Sequence, residues 1–300
     1  MLGHRRQDNT RDLAALRDEV RVLHAEIAEL RAEQRTAAED LDTRVQHAHG
    51  HLLSTLQVLV DDEAANRRLL AMARTAPGYD VPFTEADPLV SIVIPTYTNV
   101  EGLRTRSVPS ALAQTHRNVE VIVVGDLAPP ETAEVLTGFG DTRLRYENLN
   151  RRGPYPEDRD GLWFTAGTQP LNRAIELARG SWIAVLNDDD EFRPDFVAEL
   201  LTVARERRAE VAYGKLLYHE PDKPSWELGT FPPSHHQFGW QMALQHRALK
   251  LYEYKLAAHL FHEPGDWNRA RRMLRTGVRF EFLDEVVGDY WPGRLWEGRA

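Results

Sequence analysis

The chain has 300 residues and a net charge of −9, with 42% hydrophobic and 28% charged residues, a composition that is ordinary for a globular protein and argues against wholesale disorder. It contains no cysteine, which excludes disulfide scaffolds, thiolate zinc sites and cysteine nucleophiles, and the excess of acidic residues disfavours a general nucleic-acid binder. No apolar run approaches the roughly 20 residues of a membrane span, and no apolar signal segment stands near residue 1, so we expect a cytoplasmic protein, either free or peripheral to the inner face of a membrane.

The first 76 residues carry a heptad pattern. Apolar residues stand three and four positions apart, at Leu13, Leu16, Val20, Leu23, Ile27 and Leu30. No proline or glycine interrupts residues 13–45, and charges of both signs flank the apolar stripe. This spacing is typical of helices that pair through their a and d positions, so we predict a coiled coil over 1–76 and a homo-oligomer formed through it. The alternatives are a coiled coil with another protein and a single helix that docks on its own domain or bridges solvent.

Residues 77–88 contain three prolines and a glycine and are predicted to be a linker. Beyond them, short apolar runs alternate with amphipathic stretches. We predict strands at 89–94, 119–124, 144–147, 182–186 and 211–217, and helices at 103–114, 131–139, 168–178 and 194–207. Gly180 is expected to end the third of these helices. The alternation predicts an α/β domain over 89–300, with a mostly parallel sheet flanked by helices.

Polar residues follow three of the predicted strands, where ligands of such sheets bind. They are Pro95-Thr96-Tyr97, Gly125-Asp126 and Asn187-Asp188-Asp189-Asp190-Glu191. Adjacent aspartates repel one another unless a cation or hydrogen-bond donors compensate, and their oxygens suit Mg²⁺ or Mn²⁺ shared with phosphates. The alternative is a solvated turn in which one aspartate caps the next helix. Neither G-x-G-x-x-G nor G-x-x-x-x-G-K-[ST] occurs, so a metal would have to neutralise a bound diphosphate.

Several stretches together are more specific than any one of them. They are 90–97 (VSIVIPTY), 113–115 (AQT), 120–124 (EVIVV), 171–175 (LNRAI), 178–180 (ARG), and 186–190 (LNDDD) with Pro194-Asp195. In order and spacing they resemble the family 2 glycosyltransferases of the GT-A fold. The resemblance implies inverting transfer of a sugar from a UDP-, GDP- or dTDP-linked donor to the hydroxyl of a glycan or other acceptor, with Mg²⁺ or Mn²⁺. It also implies a donor half at 89–217 and an acceptor half at 218–300.

The resemblance assigns roles at the nucleotide end of the donor. Pro95, Thr96 and Tyr97 match residues of the nucleobase pocket, with Tyr97 as the stacking ring. Asp126 matches the carboxylate that accepts a hydrogen bond from the base. These four residues are therefore expected to bind the nucleotide.

The aspartates after the fourth predicted strand match the metal motif of the same family. Asp188 and Asp189 correspond to the pair that faces the ribose and the metal, with Asp189 as the direct ligand. Asp190 corresponds to the following acid, which supports this site or contacts the donor sugar. All three are expected beside the diphosphate.

Asp266 matches the catalytic base of the family, an aspartate at the start of a helix in the last third of the chain. The alternative is a plain N-cap of a helix predicted at 268–275. Trp267 is expected either to stack on an acceptor sugar or to anchor that helix. The aromatic tail 290–296 is an acceptor contact, a membrane-surface contact or a packed terminus.

Four residues depart from the family pattern and affect mainly the acceptor side. They are Thr98, Gly125, Asn187 and Gly265. The metal and base positions are intact, which favours an active enzyme. The alternatives are a catalytically weak nucleotide-binding scaffold that recruits partners through its coiled coil, and a nucleotidyltransferase, which normally needs a glycine-rich phosphate loop.

Overall fold

A computed structural model describes the backbone of residues 2–291 and the side chains of that range except 2–15, 18 and 57–61. The chain divides into two compact units between Asp62 and Glu63. The helices are α1 (Leu2–Thr75), α2 (Val81–Thr84), α3 (Val100–Gly102), α4 (Val108–Leu112), α5 (Pro130–Gly138), α6 (Arg159–Thr165), α7 (Thr168–Leu177), α8 (Phe196–Glu206) and α9 (Gly265–Thr276). The strands are β1 (Val90–Thr96), β2 (Val119–Gly125), β3 (Leu144–Asn148), β4 (Trp182–Val185), β5 (Glu191–Phe192), β6 (Val211–Tyr218), β7 (Trp226–Leu228), β8 (Ala243–His246) and β9 (Phe280–Tyr290). Of the aromatic tail, residues 292–296 lie outside the described residues.

Helix α1 runs through the first unit and into the second, which confirms the predicted N-terminal helix. Its apolar stripe faces solvent, since 44–59% of the surface of each of four members is exposed, namely Val20, Leu23, Ile27 and Leu30. The side chain of Leu13 lies outside the described residues. Within residues 2–291, no helix has both the length and the apolar character needed to cross a membrane.

Residues 77–88 differ from the predicted linker because they pack into the second unit. They include α2, and Tyr79 and Phe83 are buried in the same apolar core as Leu70 of α1. The indole Nε1 of Trp182 donates a hydrogen bond to the carbonyl of Pro82 at 3.1 Å. The prolines and the glycine end α1 as expected, but the aromatic residues between them have apolar surface that the core removes from water. The division between compact units accordingly lies earlier, at residues 62–63.

A buried carboxylate, Glu210, ties the end of α1 to the domain. Arg74 donates to its two oxygens, from Nε at 2.8 Å and from Nη2 at 2.6 Å. The Tyr79 hydroxyl and the backbone N–H of Arg279 also donate to it. Burial would raise the pKa of Glu210, but the hydrogen bonds from Arg74 and Tyr79 hold it below its usual value. Charge-assisted bonds of this kind are among the stronger contacts in a fold.

Replacing Glu210 with glutamine is expected to lower the free energy of unfolding by about 2–4 kcal/mol, because a neutral amide leaves the arginine donors unpaired. Urea denaturation of the full chain at pH 7 measures the change, with Glu206→Gln on the exposed side of α8 as the matched control. Because folding lowers the pKa of Glu210, its contribution is present above the usual carboxyl pKa and is lost as the pH falls through the folded-state value. Equal stability of the two variants at pH 7 would contradict this role.

The first half of the sheet is a parallel block in the order β3-β2-β1-β4. β1, β2 and β4 are short apolar runs rich in Val and Ile and are buried along almost their whole length, as expected of parallel strands covered on both faces. The register pairs Thr96 with Gly125, so β1 and β2 end at the same level. β4 is the other neighbour of β1, and therefore three strand ends open onto one edge of the sheet.

The second half of the sheet is mixed. β8 runs antiparallel to β4 and to β6, β9 runs parallel to β6, and β5 and β7 add short antiparallel pairs. The predicted α/β class with flanking helices is confirmed, and the parallel strands dominate only the donor half. The long strand β9 brings residues near the C-terminus back toward the acidic residues after β4.

Gly180 has a different role from the one predicted. Helix α7 ends at Leu177, before it. A Cβ atom on Gly180 would lie 2.7 Å from the carbonyl oxygen of Leu89, closer than side chains approach backbone. The glycine therefore allows the chain to pass tightly beside the start of β1.

Candidate active site

A cavity of about 470 Å³ opens at the carboxyl ends of β1, β2 and β4. Its wall combines the residues that follow these strands with the start of α7 and the loop before it. Predicted donor residues in the wall are Pro95, Thr96, Tyr97, Asp126, Asp188 and Asp189. Asp190, Asp266 and Trp267 are not part of this wall. The structure thus brings together the predicted nucleotide and metal residues and places the predicted base elsewhere.

Asp188 is fixed by two side chains that follow β1. Thr96 Oγ1 donates to one carboxylate oxygen at 2.7 Å and Asn99 Nδ2 donates to the other at 3.3 Å. Burial raises the pKa of Asp188 to about 6, although these two hydrogen bonds act in the opposite direction. Asn99 Oδ1 also accepts from the N–H of Gly102, where a Cβ would stand 2.1 Å from the carbonyl oxygen of Asp188. Helix α3 is thus packed tightly against the acidic turn.

Asp190 points away from the cavity. Only 1% of its surface is exposed, and its two oxygens accept from Asn187 Nδ2 at 2.8 Å and from the backbone N–H of Trp291 at 3.1 Å. This arrangement does not fit the expectation that Asp190 contacts the donor sugar. The physical reason is that successive side chains of the five-residue connection 186–190 point in different directions, so the three carboxylates do not all reach the cavity. Asp190 instead supports the turn that carries Asp188 and Asp189.

Arg106 approaches the same turn from a π-helical segment, Leu103–Ser107, that interrupts the predicted helix 103–114. Its Nη1 donates to the carbonyl of Asp189 at 3.3 Å, and its guanidinium carbon lies 4.3 Å from the ring centre of Trp291. π-Helical segments are rare in proteins, and those that occur are often found at functional sites. Here the wide turn places a cation directly beside the acids.

The three aspartates have the electrostatics of a cation site. Burial, followed by the charge of Asp188, raises the pKa of Asp189, and burial and then the charge of Asp189 raise that of Asp190. A divalent cation would reverse both penalties, because it favours ionised carboxylates. Among the residues that the structure describes, no three His, Asp or Glu side chains are close enough together to hold a metal ion on their own. One or two carboxylates beside a cavity nevertheless fit Mg²⁺ or Mn²⁺ that takes its other ligands from phosphates and water.

The same cavity wall also combines an aromatic ring with a buried carboxylate. The surface of Tyr97 is 40% exposed, and the guanidinium carbon of Arg152 lies 4.1 Å from its ring centre. Asp126 accepts from the backbone N–H of Gly153 at 3.1 Å and lies 4.0 Å from Arg152 Nε. Burial, and next the Asp126 carboxylate, raise the pKa of Tyr155. A flat ring and an acceptor carboxylate are what a nucleobase needs for stacking and hydrogen bonding.

Asp266 is in the first turn of α9, whose cap position is Pro264. The N-cap interpretation of Asp266 is therefore wrong. Trp240 Nε1 donates to the Asp266 carbonyl at 3.2 Å, and Arg269, one turn later, is fully buried beneath the Trp240 ring. Burial raises the pKa of the Asp266 carboxyl to about 6, against a backbone hydrogen bond from Trp240 and the charge of Arg269. A carboxylate with a pKa in this range is suited to proton transfer near neutral pH.

Trp267 packs partly on the apolar core, and the His235 ring lies over it with 5.8 Å between ring centres. These contacts are those of an anchoring residue. A stacked acceptor sugar at Trp267 would have to share the ring with His235.

Sequence reasoning missed three contributors to this region. Asn99 follows Thr98, a position where the family pattern often has asparagine, and this neighbouring asparagine was the available signal. Arg152 belongs to the loop 151–163, which the sequence places near the donor pocket with arginines that either contact phosphate or are solvated, and only the fold reveals its contact with the Tyr97 ring. Arg106 had no signal, because its segment reads as an ordinary helix.

Comparison with known proteins decides the family. The sequence profile described as glycosyl transferase family 2 matches residues 91–156 and 168–268, more than half of the chain. The chain belongs to glycosyl transferase family 2. The two matched segments hold the whole cavity wall outside 157–167, together with Asp266 and Trp267.

Two named relatives match part of the chain. The chain is 34% identical over 136 residues to the succinoglycan biosynthesis protein ExoO of Rhizobium meliloti, a match that covers 45% of this chain and 35% of ExoO. It is 29% identical over 132 residues to the putative teichuronic acid biosynthesis glycosyltransferase TuaG of Bacillus subtilis, covering 43% of this chain and 47% of TuaG. The matches thus span less than half the length of either relative.

Two solved structures agree with this chain in fold. S. aureus TarS 1-349 in complex with UDP-GlcNAc superposes with a TM-score of 0.54 at 15% identity, covering 70% of this chain and 61% of that chain. The mannosyltransferase PcManGT of Pyrobaculum calidifontis, in complex with GDP-Man and Mn²⁺, superposes with a TM-score of 0.52 at 14% identity, covering 82% and 69%. At such identities the likeness establishes the GT-A-type fold and nothing beyond it.

Proposed function

We propose that the protein is a metal-dependent, inverting glycosyltransferase that moves a sugar from a nucleotide-sugar donor to an acceptor hydroxyl. One observation carries the proposal: Tyr97, Asp126, Asp188 and Asp189 line a single cavity, so the groups suited to a nucleobase and those suited to a metal-bound diphosphate face the same space. The family membership and the nucleotide-sugar complexes of TarS and PcManGT support the same reading.

The donor is held by both sets of groups in the cavity. The base stacks on Tyr97, where it takes the place of the Arg152 guanidinium, and hydrogen-bonds to Asp126. Asp188 faces the ribose, and Asp189 is the ligand for Mg²⁺ or Mn²⁺, which when bound offsets the negative charge that develops on the leaving diphosphate. Thr96 and Asn99 keep the Asp188 carboxylate in place, so no energy is spent on orienting it at the moment of reaction.

Transfer needs a base on the acceptor side. Asp266 takes the proton of the acceptor hydroxyl while the hydroxyl oxygen forms a bond to the anomeric carbon of the donor sugar. The bond between that carbon and the diphosphate oxygen breaks on the opposite face, and its electron pair leaves with the diphosphate. Attack opposite to the leaving group inverts the anomeric centre. The products are a glycosylated acceptor, a nucleoside diphosphate and a proton on Asp266.

A thermal-shift panel of UDP-, GDP- and dTDP-sugars, each with and without Mn²⁺, tests donor binding. One donor class is expected to raise the unfolding temperature only with the metal, since a ligand at 100 times its Kd stabilises the folded state by about 2.7 kcal/mol. Donor hydrolysis with Mn²⁺, measured in parallel, separates an enzyme from a scaffold that merely binds. The absence of a metal-dependent shift for every donor would refute the donor site.

We also propose that a second copy of the chain covers the apolar stripe of α1. The stripe consists of the a and d positions Val20, Leu23, Ile27 and Leu30, which are exposed in the single chain, and its 3,4 spacing suits knobs-into-holes packing with an identical helix. An apolar stripe of this length exposed to water is a feature of helices that have a partner.

Ile27→Glu in the full chain is expected to shift the mass in light scattering from oligomer to monomer, because a buried a-position charge lacks a partner. Ala25→Glu adds the same charge at an f position, away from the stripe, and is expected to leave the mass unchanged. A wild-type mass equal to one chain would contradict the proposal.

A further inference from the structure

We propose that an aromatic strip, formed by Tyr290, Tyr218 and Trp226, is a subsite for the acceptor, and that the acceptor is an oligosaccharide of several sugars. The inference rests on the proposed function, because it assigns a substrate class to the acceptor side of that reaction. It differs from the predicted acceptor contact at Trp267, which His235 covers.

The strip runs across three adjacent strands. Tyr218 at the end of β6 is in register with Trp226 on β7 and with Tyr290 on β9. The Tyr218 and Trp226 rings stack with 4.9 Å between centres and 25° between planes, and the Tyr218 and Tyr290 centres are also 4.9 Å apart, at 58°. The three rings therefore form one continuous surface rather than three separate contacts.

The inner end of the strip lies beside the acidic turn. Trp291, the next residue after Tyr290, donates its backbone N–H to Asp190 at 3.1 Å. Arg106 lies against the Trp291 ring, with 4.3 Å from its guanidinium carbon to the ring centre, and donates to the carbonyl of Asp189 at 3.3 Å, so the inner end of the strip adjoins the acidic turn. A ligand laid along the strip consequently ends beside the turn that carries Asp188 and Asp189.

Packing accounts for the two tyrosines better than for the tryptophan. Tyr290 packs on the apolar core, and Tyr218 is half-buried between its neighbours. Trp226 stands on a strand of three residues that pairs with β6 alone, and 43% of its surface is exposed. One face rests on Tyr218, so the other is available to a ligand. A large exposed ring without a core to fill is typical of a binding residue.

The charges around the strip favour a neutral polar ligand over an anionic membrane. Lys215 pairs with Glu227 at 2.9 Å and with Asp284 at 2.5 Å, and Lys223 pairs with Glu220 at 2.6 Å. A membrane-binding surface needs uncompensated basic charge beside its aromatic residues. Sugar rings have C–H faces that stack on aromatic rings and hydroxyls that donate to carboxylates, and this surface offers both partners.

Binding of the full chain to immobilised bacterial oligosaccharides of one to six sugars tests the proposal. The wild type is expected to retain some members of three or more sugars at least tenfold better than the matching single sugars. Trp226→Ala is expected to weaken that retention at least tenfold, whereas Trp226→Phe, which keeps a flat ring, stays within about threefold of the wild type. Met72→Ala, which removes an exposed apolar side chain of α1, is the matched control.

Three outcomes would overturn the subsite. The first is that the wild type retains no oligosaccharide although its metal-dependent donor binding is intact. The second is that the wild type and Trp226→Ala retain oligosaccharides equally. The third is that Trp226→Ala loses binding only to phosphatidylglycerol vesicles and not to oligosaccharides. A wild-type protein that fails to bind or hydrolyse any donor would instead refute the proposed function. Retention on the immobilised oligosaccharides is measured without any donor, so it does not depend on that result. The two failures are thus distinguishable.

Discussion

Replacing Asp189 with asparagine is expected to lower the transfer rate by at least about 10³-fold, or about 4 kcal/mol of transition-state stabilisation. The amide removes the charge that faces the cavity and leaves Asp188 without a partner for binding a cation. Burial opposes a charge at this position, so the neutral variant is expected to fold at least as well as the wild type. Steady-state transfer assays with increasing Mn²⁺, together with calorimetric titration of Mn²⁺ in the presence of the nucleoside diphosphate, measure the loss.

Asp195→Asn is the matched control for Asp189→Asn. Asp195 is exposed six residues further along, and its carboxylate accepts a hydrogen bond from Thr115 Oγ1 at 2.7 Å. This control is expected to keep its rate within about twofold. If Asp189→Asn kept both its rate and its Mn²⁺ affinity, the metal assignment would be wrong, even if the enzyme proved to be a transferase.

Replacing Asp266 with asparagine is expected to reduce transfer by about 10²–10⁴-fold, the usual effect of a general base. Donor affinity should persist, because Asp266 is not part of the cavity wall. The combination of normal donor affinity and lost transfer distinguishes this variant from Asp189→Asn, in which metal binding also fails. A full rate in Asp266→Asn would exclude its role as the base.

The pH dependence of transfer gives a second measurement on Asp266. The base must be ionised, and its pKa is raised to about 6, so the rate is expected to fall about tenfold per pH unit below 6 and to level off above it. Asp188 also has a raised pKa, of about 6, so donor affinity must be measured at each pH. A fall in rate at saturating donor belongs to Asp266, and a fall in affinity belongs to the acidic turn.

Much of the donor half could be predicted from the sequence because its signals are local. β1, β2 and β4 are β-branched apolar runs, and the residues after them converge because parallel strands end on one edge. The order of β5 to β9, by contrast, depends on contacts between distant segments that leave no local pattern. The segment 77–88 was predicted to be a linker from its prolines and glycine, but burial of Tyr79 and Phe83 packs it into the second unit.

The candidate site, like the donor half, could be predicted where its signals are local to the ends of the parallel strands. Tyr97, Asp126, Asp188 and Asp189 were found because strand ends mark them. The direction of the Asp190 side chain depends on the path of the connection 186–190, which has no local signal in the sequence.

Gly102 has a practical consequence for mutational surveys of this enzyme. Because a methyl group there would stand 2.1 Å from the carbonyl oxygen of Asp188, even alanine must push aside the turn that carries Asp188 and Asp189. A saturation screen scored on activity would then rank this position with the proposed metal and base residues, although glycine has no side chain to offer any ligand. Intolerance at Gly102 would therefore report shape rather than chemistry.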